Sequence, residues 1–527
     1  MRTPFAIKAH IGTVPHFAVP LFVSVVLISA IVLAKPTVAS NPILWGGLEP
    51  GPYPVGFTVI QLEDPSRSYG QSLARPIQVS VWYPAARDSV RLAQRMLFSD
   101  YIVLYTTPVT SPGQLTGAAR AAAIDRYRKE WFPKESESNL ARLLGTPTFA
   151  VRDGLPAGGR FPLVIYAPGY GGSPLTHTPT AEYLASHGYV VAMSPSQGES
   201  AAGMTFDAAG QEQQVRDIEF MAGTLRTRPD VISSKLAFIG FSMGGGSAVI
   251  AAMRIPDVDA VVSLDGTVAF DHTVDFLRQA TGYDPAAFRS PLLALKAEDD
   301  SDEDLSVIRA LVLSDREVIR FKGVDHHDFI ASPVIASVAT GKIAASGRVA
   351  YPLVARTVLG FLDEHNRGFN AGLHSHVKET LGSSAQAGDP SSDLLLPRLA
   401  APTPQELISK VLDSGDVNAL VDAQHALSKQ APCTPLLNAG ALHMLGLRFM
   451  DRGQNDKAVQ IYELFVELYP QDFFALNLLG DLYRTRNEVA KAERCYQQSL
   501  SIRKGNGSAT EGLRKLKEMT GGNPVGK

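Results

Sequence analysis

LAFIGFSMGGG, residues 236–246, is the stretch of this sequence that decides the fold. An apolar, strand-like run leads into Gly-x-Ser-x-Gly, and an apolar helical pattern follows Ser242 at once. A sharp turn from a strand into a helix lifts a serine hydroxyl clear of the sheet, and the flanking glycines leave room for the strained backbone. The sequence therefore predicts Ser242 as a nucleophile, with the backbone N–H of Met243 as an oxyanion donor.

The chain around this turn alternates strand and helix patterns from about residue 55 to 365, which predicts an α/β fold with a mostly parallel sheet and crossover helices. Nearly continuous apolar runs are typical of parallel strands that are covered on both faces. The predicted strands are 161–166, 190–193, 236–239, 260–264, 292–295 and 318–321, and the predicted helices are 178–186, 211–225 and 244–253. An earlier run, 77–83, alternates in the manner of a half-exposed strand.

Residues from about 90 to 145 interrupt this alternation with helical patterns. They carry several aromatic residues, among them Tyr101, Tyr105 and Trp131. We expect a helical insertion that forms a cap or lid over the site.

A second oxyanion donor is expected in the loop after the strand that precedes the first crossover helix. Residues 163–172, LVIYAPGYGG, occupy that place, and their glycines let the backbone approach a substrate. The backbone N–H of Tyr170 is the predicted donor.

A general base is needed because a serine hydroxyl is a weak nucleophile at neutral pH. In hydrolases with this turn the histidine comes last in chain order. Of the twelve histidines, His326 and His327 follow the last predicted strand, so one of these two is the expected base.

The acid that orients the imidazole has two candidate positions at carboxyl ends of predicted strands. Asp265 ends the strand after the nucleophile helix, and Asp299 and Asp300 follow the next strand. Both positions stay open on the residues alone, because such triads are recognised by geometry.

These motifs together resemble the platelet-activating-factor acetylhydrolase and dienelactone-hydrolase-like branch of the α/β-hydrolases. The resemblance covers about residues 55 to 365. It implies Ser242, Asp265 and His326 as the triad, because the acid lies 23 residues after the serine and Phe329 follows the histidine by three. It also implies backbone donors at Tyr170 and Met243. The sequence departs from the pattern at Pro168, where a histidine often stands, and in the Asp299-Asp300 pair.

The first 40 residues combine early basic residues with an apolar run over 17–34 and a small-residue cleavage site, Val38-Ala39-Ser40. This pattern predicts a signal peptide or an N-terminal membrane anchor, because the run is borderline in length for either. The protein is therefore expected to be exported, to the periplasm or outside the cell. A net charge of -3 without a basic stripe argues against a nucleic-acid partner.

The C-terminal region repeats itself. Leu445-Gly446, Ala458 and Tyr462 recur 34 residues later as Leu479-Gly480, Ala492 and Tyr496. That period is the mark of the tetratricopeptide (TPR) repeat. We therefore predict a hydrolase domain over 50–367, a linker over 368–403, and TPR-like helices over 404–520 with clear repeats at 438–471 and 472–505. A concave repeat surface implies a protein partner.

The function expected from the sequence is hydrolysis of carboxylic esters through an acyl-enzyme, and the resemblance implies short-acyl esters, including those of phospholipids. A peptidase or thioesterase on the same fold and an inactive scaffold that binds proteins through its repeats are the alternatives. No metal or cofactor motif is present, so neither is expected.

Overall fold

The computed structural model describes residues 43–91, 93–106, 116–298, 302–342, 345–368, 390–396, 398, 404–430 and 434–520. The predicted signal peptide or anchor, residues 1–40, lies outside the described residues. Within the described ranges, no helix is long and apolar enough to cross a membrane.

One mixed sheet organises the hydrolase domain. Its strands are β1 (Val55–Asp64), β2 (Arg75–Pro84), β3 (Ala150–Arg152), β4 (Phe161–Ala167), β5 (Val190–Met193), β6 (Val231–Phe241), β7 (Ala260–Leu264), β8 (Leu292–Ala297), β9 (Arg316–Phe321) and β10 (Pro390–Leu396). Their order is β10-β9-β8-β7-β6-β4-β5-β2-β1-β3. Strands β4 to β9 run parallel, whereas β2 is antiparallel to β5 and β1, and β10 is antiparallel to β9. The predicted α/β-hydrolase sheet is confirmed.

Eleven helices of the described residues accompany this sheet. They are α1 (Arg87–Arg91), α2 (Phe98–Tyr105), α3 (Gly117–Trp131), α4 (Glu137–Leu144), α5 (Thr178–Ser186), α6 (Ala208–Leu225), α7 (Met243–Arg254), α8 (Asp271–Arg278), α9 (Ser306–Ala310), α10 (Ser332–Thr340) and α11 (Ala345–His365). Helices α5 and α11 contribute to the apolar cluster on one face, and α6 and α7 to the cluster on the other.

The apolar runs of the parallel strands bury both of their faces. In β4, Leu163 and Ile165 join the cluster with α6 and α7, whereas Val164 and Tyr166 join the cluster with α5 and α11. Successive side chains of a strand point to opposite faces, so a continuous apolar run is what a sheet between two helix layers requires. The loops that follow these strands are therefore anchored to a sheet that lies between two packed helix layers.

The prediction of a half-exposed early strand is wrong. Within β2 every residue except Pro76 is buried. The strand lies between β5 and β1, and Val81 and Trp82 enter the clusters on opposite faces. The polar residues that suggested exposure are buried instead: Ser80 accepts a hydrogen bond from the Tyr105 hydroxyl at 2.9 Å. Strands β1 and β3 were not predicted.

The helical insertion predicted near residues 90–145 consists of α1 to α4 within the described residues. Arg120 of α3 forms an ion pair with Asp100 of α2 at 2.8 Å. Arg142 of α4 donates hydrogen bonds to the carbonyl oxygens of Val338 and Ala339 in α10, at 2.8 and 2.9 Å. The insertion is thus attached to the helix that follows His326 and His327 in the chain.

The C-terminal part forms helices that match the repeat pattern. Their bounds are α12 (Pro404–Ser414), α13 (Val417–Gln430), α14 (Ala439–Asp451), α15 (Asn455–Leu468), α16 (Phe473–Thr485), α17 (Val489–Ile502) and α18 (Gly507–Met519). Ala286 and Leu313 of the hydrolase domain lie in the same buried apolar cluster as these helices. The repeat helices therefore pack against the hydrolase domain.

The stretch predicted as a linker contains β10, which extends the sheet beyond β9. Most other residues of the predicted linker lie outside the described residues. The Gly- and Ser-rich composition concealed this strand, because pairing with an existing sheet edge can impose extended structure that local propensity does not indicate.

Close approach of paired helices explains the repeated glycine, and it predicts an effect on stability. A Cβ at Gly446 would lie 2.5 Å from Tyr462 Cε2. We expect Gly446→Ala to lower the free energy of unfolding by about 1–3 kcal/mol through overpacking. Gly440→Ala, in the same helix, would place its Cβ no nearer than 3.6 Å to Asn438 Oδ1 and should be neutral or stabilising by about 1 kcal/mol. Urea unfolding followed by circular dichroism compares the two variants, and equal values would contradict the close packing.

Candidate active site

Ser242 stands at a strained turn between a strand and a helix. Strand β6 ends at Phe241 and helix α7 begins at Met243. Between them Ser242 has φ 56° and ψ -124°, a backbone conformation that residues other than glycine rarely adopt. Such strain persists only where the surrounding structure holds it. A serine at this kind of turn exposes its hydroxyl above the sheet.

The flanking glycines make this turn possible. A Cβ at Gly240 would lie 2.0 Å from the carbonyl oxygen of Gly244, and a Cβ at Gly244 would lie 2.3 Å from that of Ala167. Real side chains cannot occupy such positions, so both residues must be glycine for β6, α7 and the end of β4 to approach one another. The sequence interpretation of this turn agrees with the structure.

Asp265 and His326 lie against each other. Asp265 follows β7, is buried, and has φ 42°. Its Oδ2 lies 2.5 Å from Nδ1 of His326, and its Oδ1 accepts a hydrogen bond from the backbone N–H of Ala297 at 3.0 Å. Because a carboxylate can only accept hydrogen bonds, Nδ1 is the donor in this contact, and Nε2 is left for another partner.

His327, the other candidate base, occupies a different position. Its ring packs edge-on against His326, with ring centroids 5.5 Å apart. Burial, together with the neighbouring His326, lowers the pKa of His327, so the ring favours its neutral form. The other candidate acids, Asp299 and Asp300, lie outside the described residues.

Ser242, His326 and His327 line one cavity of about 790 Å³. Among the described residues, no hydrogen bond joins the Ser242 hydroxyl to the His326 ring. Catalytic hydrogen bonds are often long in a free enzyme and tighten only when substrate binds. Ser242, His326 and His327 therefore line the same cavity, although the Ser242 hydroxyl and the His326 ring are not hydrogen-bonded.

The predicted oxyanion loop lies directly against the serine. A Cβ at Gly169 would be 3.2 Å from Ser242 Cβ, and Tyr170 lines the cavity. The backbone N–H of Gly172 donates to the carbonyl oxygen of Gly169 at 3.0 Å, which closes a tight turn around Tyr170. Met243 is the first residue of α7, where a backbone N–H has no partner within the helix itself.

A buried glutamine that the sequence interpretation missed connects these parts. Gln214 of α6 donates through Nε2 to the carbonyl oxygen of Pro168 at 2.8 Å and to Ser196 Oγ at 2.6 Å. Its Oε1 accepts a hydrogen bond from Ser247 Oγ of α7 at 2.7 Å. One side chain thus connects the predicted oxyanion loop to helix α7. The available signal was a pair of glutamines, Gln211 and Gln214, on the apolar face of α6.

His177 was also missed, and it is buried in the wall of the cavity. Its Nδ1 lies 3.0 Å from the Tyr166 hydroxyl oxygen. Burial lowers the pKa of His177 to about 3, so the ring is neutral at physiological pH. A lone histidine after a glycine-rich loop carries no sequence pattern that distinguishes it from a surface residue.

The fold is of the α/β-hydrolase class, and TPR helices lie at its C-terminal end. Residues 149–327 match the model of the dienelactone hydrolase family, and residues 439–472 and 475–510 match models of the tetratricopeptide repeat. The acetylhydrolase part of the resemblance stays a prediction. The TPR prediction is confirmed.

Among solved structures, the chain is similar to a ferulic acid esterase from Streptomyces cinnamoneus, with 23% identity and a TM-score of 0.43. The alignment covers 60% of this chain and 91% of the esterase. No curated protein matches the chain.

The strained turn predicts an unusual order of stabilities. We expect Ser242→Gly to have a free energy of unfolding about 1 kcal/mol higher than Ser242→Ala, because glycine adopts φ 56° without a Cβ penalty. At Ser337, inside α10, the same pair should show the opposite order, since alanine is the better helix former by about 1 kcal/mol. Urea unfolding of the four variants measures both differences. A Ser242→Ala variant at least as stable as Ser242→Gly would show that Ser242 is not strained.

The burial of His177 predicts a dependence of stability on pH. Its pKa is about 3 when folded and near the ordinary 6.5 when unfolded, so between these values only the unfolded chain binds the proton. The free energy of unfolding should therefore fall as pH drops below 6.5, by up to about 1.4 kcal/mol per pH unit from this group. Urea unfolding between about pH 7.5 and 4.5 should give a shallower slope for His177→Gln. Identical slopes for variant and wild type would contradict a buried neutral imidazole.

Proposed function

We propose that this protein is a serine hydrolase that cleaves carboxylic esters with Ser242 as nucleophile, His326 as general base and Asp265 as the orienting acid. The observation that carries the proposal is the 2.5 Å contact between Asp265 Oδ2 and His326 Nδ1 beside the strained serine. The match of residues 149–327 to the dienelactone hydrolase family supports a hydrolase that acts on esters.

In the first step, Nε2 of His326 accepts the proton of the Ser242 hydroxyl while Oγ attacks the ester carbonyl carbon. The carbonyl oxygen becomes an oxyanion, which the backbone N–H groups of Tyr170 and Met243 stabilise. The tetrahedral intermediate then collapses, the bond to the alcohol oxygen breaks, and His326 returns the proton to the departing alcohol. An acyl-enzyme on Ser242 remains.

Water completes the cycle by the same route. His326 accepts a proton from a water molecule whose oxygen attacks the acyl carbonyl, and the intermediate expels Ser242 Oγ, which takes the proton back. Free acid is released. Asp265 stabilises the imidazolium that forms twice per turnover, and each oxyanion donor typically contributes about 100- to 1,000-fold in rate.

The finer substrate assignment rests on the acetylhydrolase resemblance. We propose short-acyl esters, including short-acyl phospholipid esters, on the spacing from Ser242 to Asp265 and the placing of Phe329 after His326. Export to the periplasm or the exterior is proposed from the N-terminal sequence pattern. Binding of a protein partner is proposed for the TPR helices, and the matches to repeat-family models support this role.

The proposal is tested with the full chain and 4-nitrophenyl acetate. We expect Ser242→Ala and Asp265→Asn each to lower kcat by about 1,000-fold or more, because one removes the nucleophile and the other leaves the imidazole in the wrong tautomer. A fluorophosphonate probe should label wild type at Ser242, and it should label Ser337→Ala, a serine outside the cavity, equally well.

The outcomes separate the alternatives. Loss of activity in Asp300→Asn but not in Asp265→Asn would overturn the assignment of the acid. Turnover of thioesters or amides without turnover of oxygen esters would point to a thioesterase or peptidase. Absence of both turnover and labelling in folded protein would leave a binding scaffold.

A further inference from the structure

The cavity beside Ser242 extends from the sheet to the helical insertion. The insertion contributes Tyr105 of α2, Tyr127, Glu130 and Trp131 of α3, and Phe132 directly after α3. The part of the cavity lining that the insertion supplies, here called the aromatic wall, is therefore mostly aromatic. The proposed triad and oxyanion donors make no use of this wall. Its residues can therefore determine which esters bind.

The aromatic wall is fixed by its own packing. Tyr127 is buried, its ring stacks on Trp131 with centroids 6.5 Å apart, and its centroid lies 5.8 Å from that of Phe132. Tyr105 stacks parallel to the buried Tyr101, with centroids 6.3 Å apart. Trp131 itself remains 57% exposed. A preformed group of rings with one open indole is suited to bind an apolar or aromatic group at low cost in ordering.

The charge of the cavity points in the same direction. Among its described lining residues there is one carboxylate, Glu130, and neither lysine nor arginine. The histidines His177 and His327 both have lowered pKa values, so they favour the neutral form. Among the described lining residues, an anionic group would find no guanidinium or ammonium partner and would be repelled by Glu130, whereas an uncharged group would meet neither disadvantage.

A neighbouring depression does not change this balance. It shares His326 and His327 with the cavity and contains Lys342, but it also contains Asp325 and Asp328. Two carboxylates offset the single ammonium group there. The described surroundings of both histidines thus carry no excess of positive charge that would attract an anionic ester.

We propose that the helical insertion binds the part of the ester remote from the scissile bond and selects a bulky aromatic or apolar group that carries no negative charge. This inference rests on the proposed ester hydrolysis and adds the class of substrate. Among the short-acyl esters proposed above, it disfavours phospholipids whose phosphate would enter this cavity. Tyr127, Trp131 and Phe132 provide the contact surface, and Glu130 provides the discrimination against anions.

The kinetic test compares matched esters on the full chain. For the acyl side these are the 4-nitrophenyl esters of acetate, 3-phenylpropionate and 3-(4-carboxyphenyl)propionate, and for the alcohol side they are ethyl, phenethyl and 4-carboxyphenethyl acetate. On at least one side we expect kcat/KM to be about 10-fold higher for the uncharged aromatic ester than for the small one. Adding the carboxylate should lower it by about 10-fold.

Variants assign the effect to the insertion. Trp131→Ala should lower kcat/KM for the aromatic ester relative to the small ester by about 10-fold, and Glu130→Gln should raise kcat/KM for the carboxylate ester about 3- to 10-fold. Leu155→Ala and Glu137→Gln change comparable exposed residues that do not line the cavity, so they should leave both ratios unchanged. A carboxylate ester turned over as well as its uncharged partner, or ratios insensitive to Trp131 and Glu130, would overturn the inference.

A binding measurement separates this inference from the catalytic proposal. Trp45 and Trp82 are fully buried, so a ligand in the cavity should change the emission of Trp131. With Ser242→Ala, titration with phenethyl acetate should shift tryptophan fluorescence, and the carboxylate analogue should do so only at about 10-fold higher concentration. Binding of phenethyl acetate by the variant, together with no ester turnover by the wild type, would contradict only the catalytic proposal. Turnover of small esters by the wild type, without this binding, would contradict only the inference on substrate class.

Discussion

The backbone of Ser242 is the constraint on which the rest of the site depends. Its φ of 56° is unfavourable for a residue with a side chain, and it persists because Gly240 and Gly244 let strand, helix and the end of β4 pack together. The Ser242 carbonyl oxygen accepts hydrogen bonds from the backbone N–H groups of Gly245 and Thr267, and the Ser242 N–H donates to the Leu264 carbonyl oxygen. Neighbouring elements thus hold the turn from both sides.

The parallel sheet brings the other groups to this turn. Asp265 follows β7, beside β6, and His326 lies beyond the end of β9, so carboxylate and imidazole arrive at the same edge as the serine. Asp265 also has a positive φ, 42°, and its second oxygen accepts a hydrogen bond from Ala297 at the end of β8. Two strained residues on neighbouring strands therefore define the site, and the rigid sheet fixes the distance between them.

Gln214 gives the site a support that does not touch the proposed reaction. Its amide bridges the carbonyl oxygen of Pro168 and the hydroxyl of Ser247, so one buried side chain links the predicted oxyanion loop to helix α7. Ser196 adds a second link, because its N–H donates to the carbonyl oxygen of Gly172 at 2.8 Å. Placement of oxyanion donors within a fraction of an ångström is what gives them their effect on rate.

The sequence by itself determined the local features: the parallel strands, the turn at Ser242, the loop at Tyr170, the histidine pair and the 34-residue repeat. Each of these is a periodicity or a conformational requirement that neighbouring residues impose. Only the tertiary structure placed Asp265 against His326, buried β2, and paired β10 with β9 inside an expected linker. It alone also revealed Gln214 and His177, and it showed which aromatic residues of the predicted insertion line the cavity. These features depend on contacts between residues far apart in the chain, and no local pattern encodes which distant partner a side chain meets.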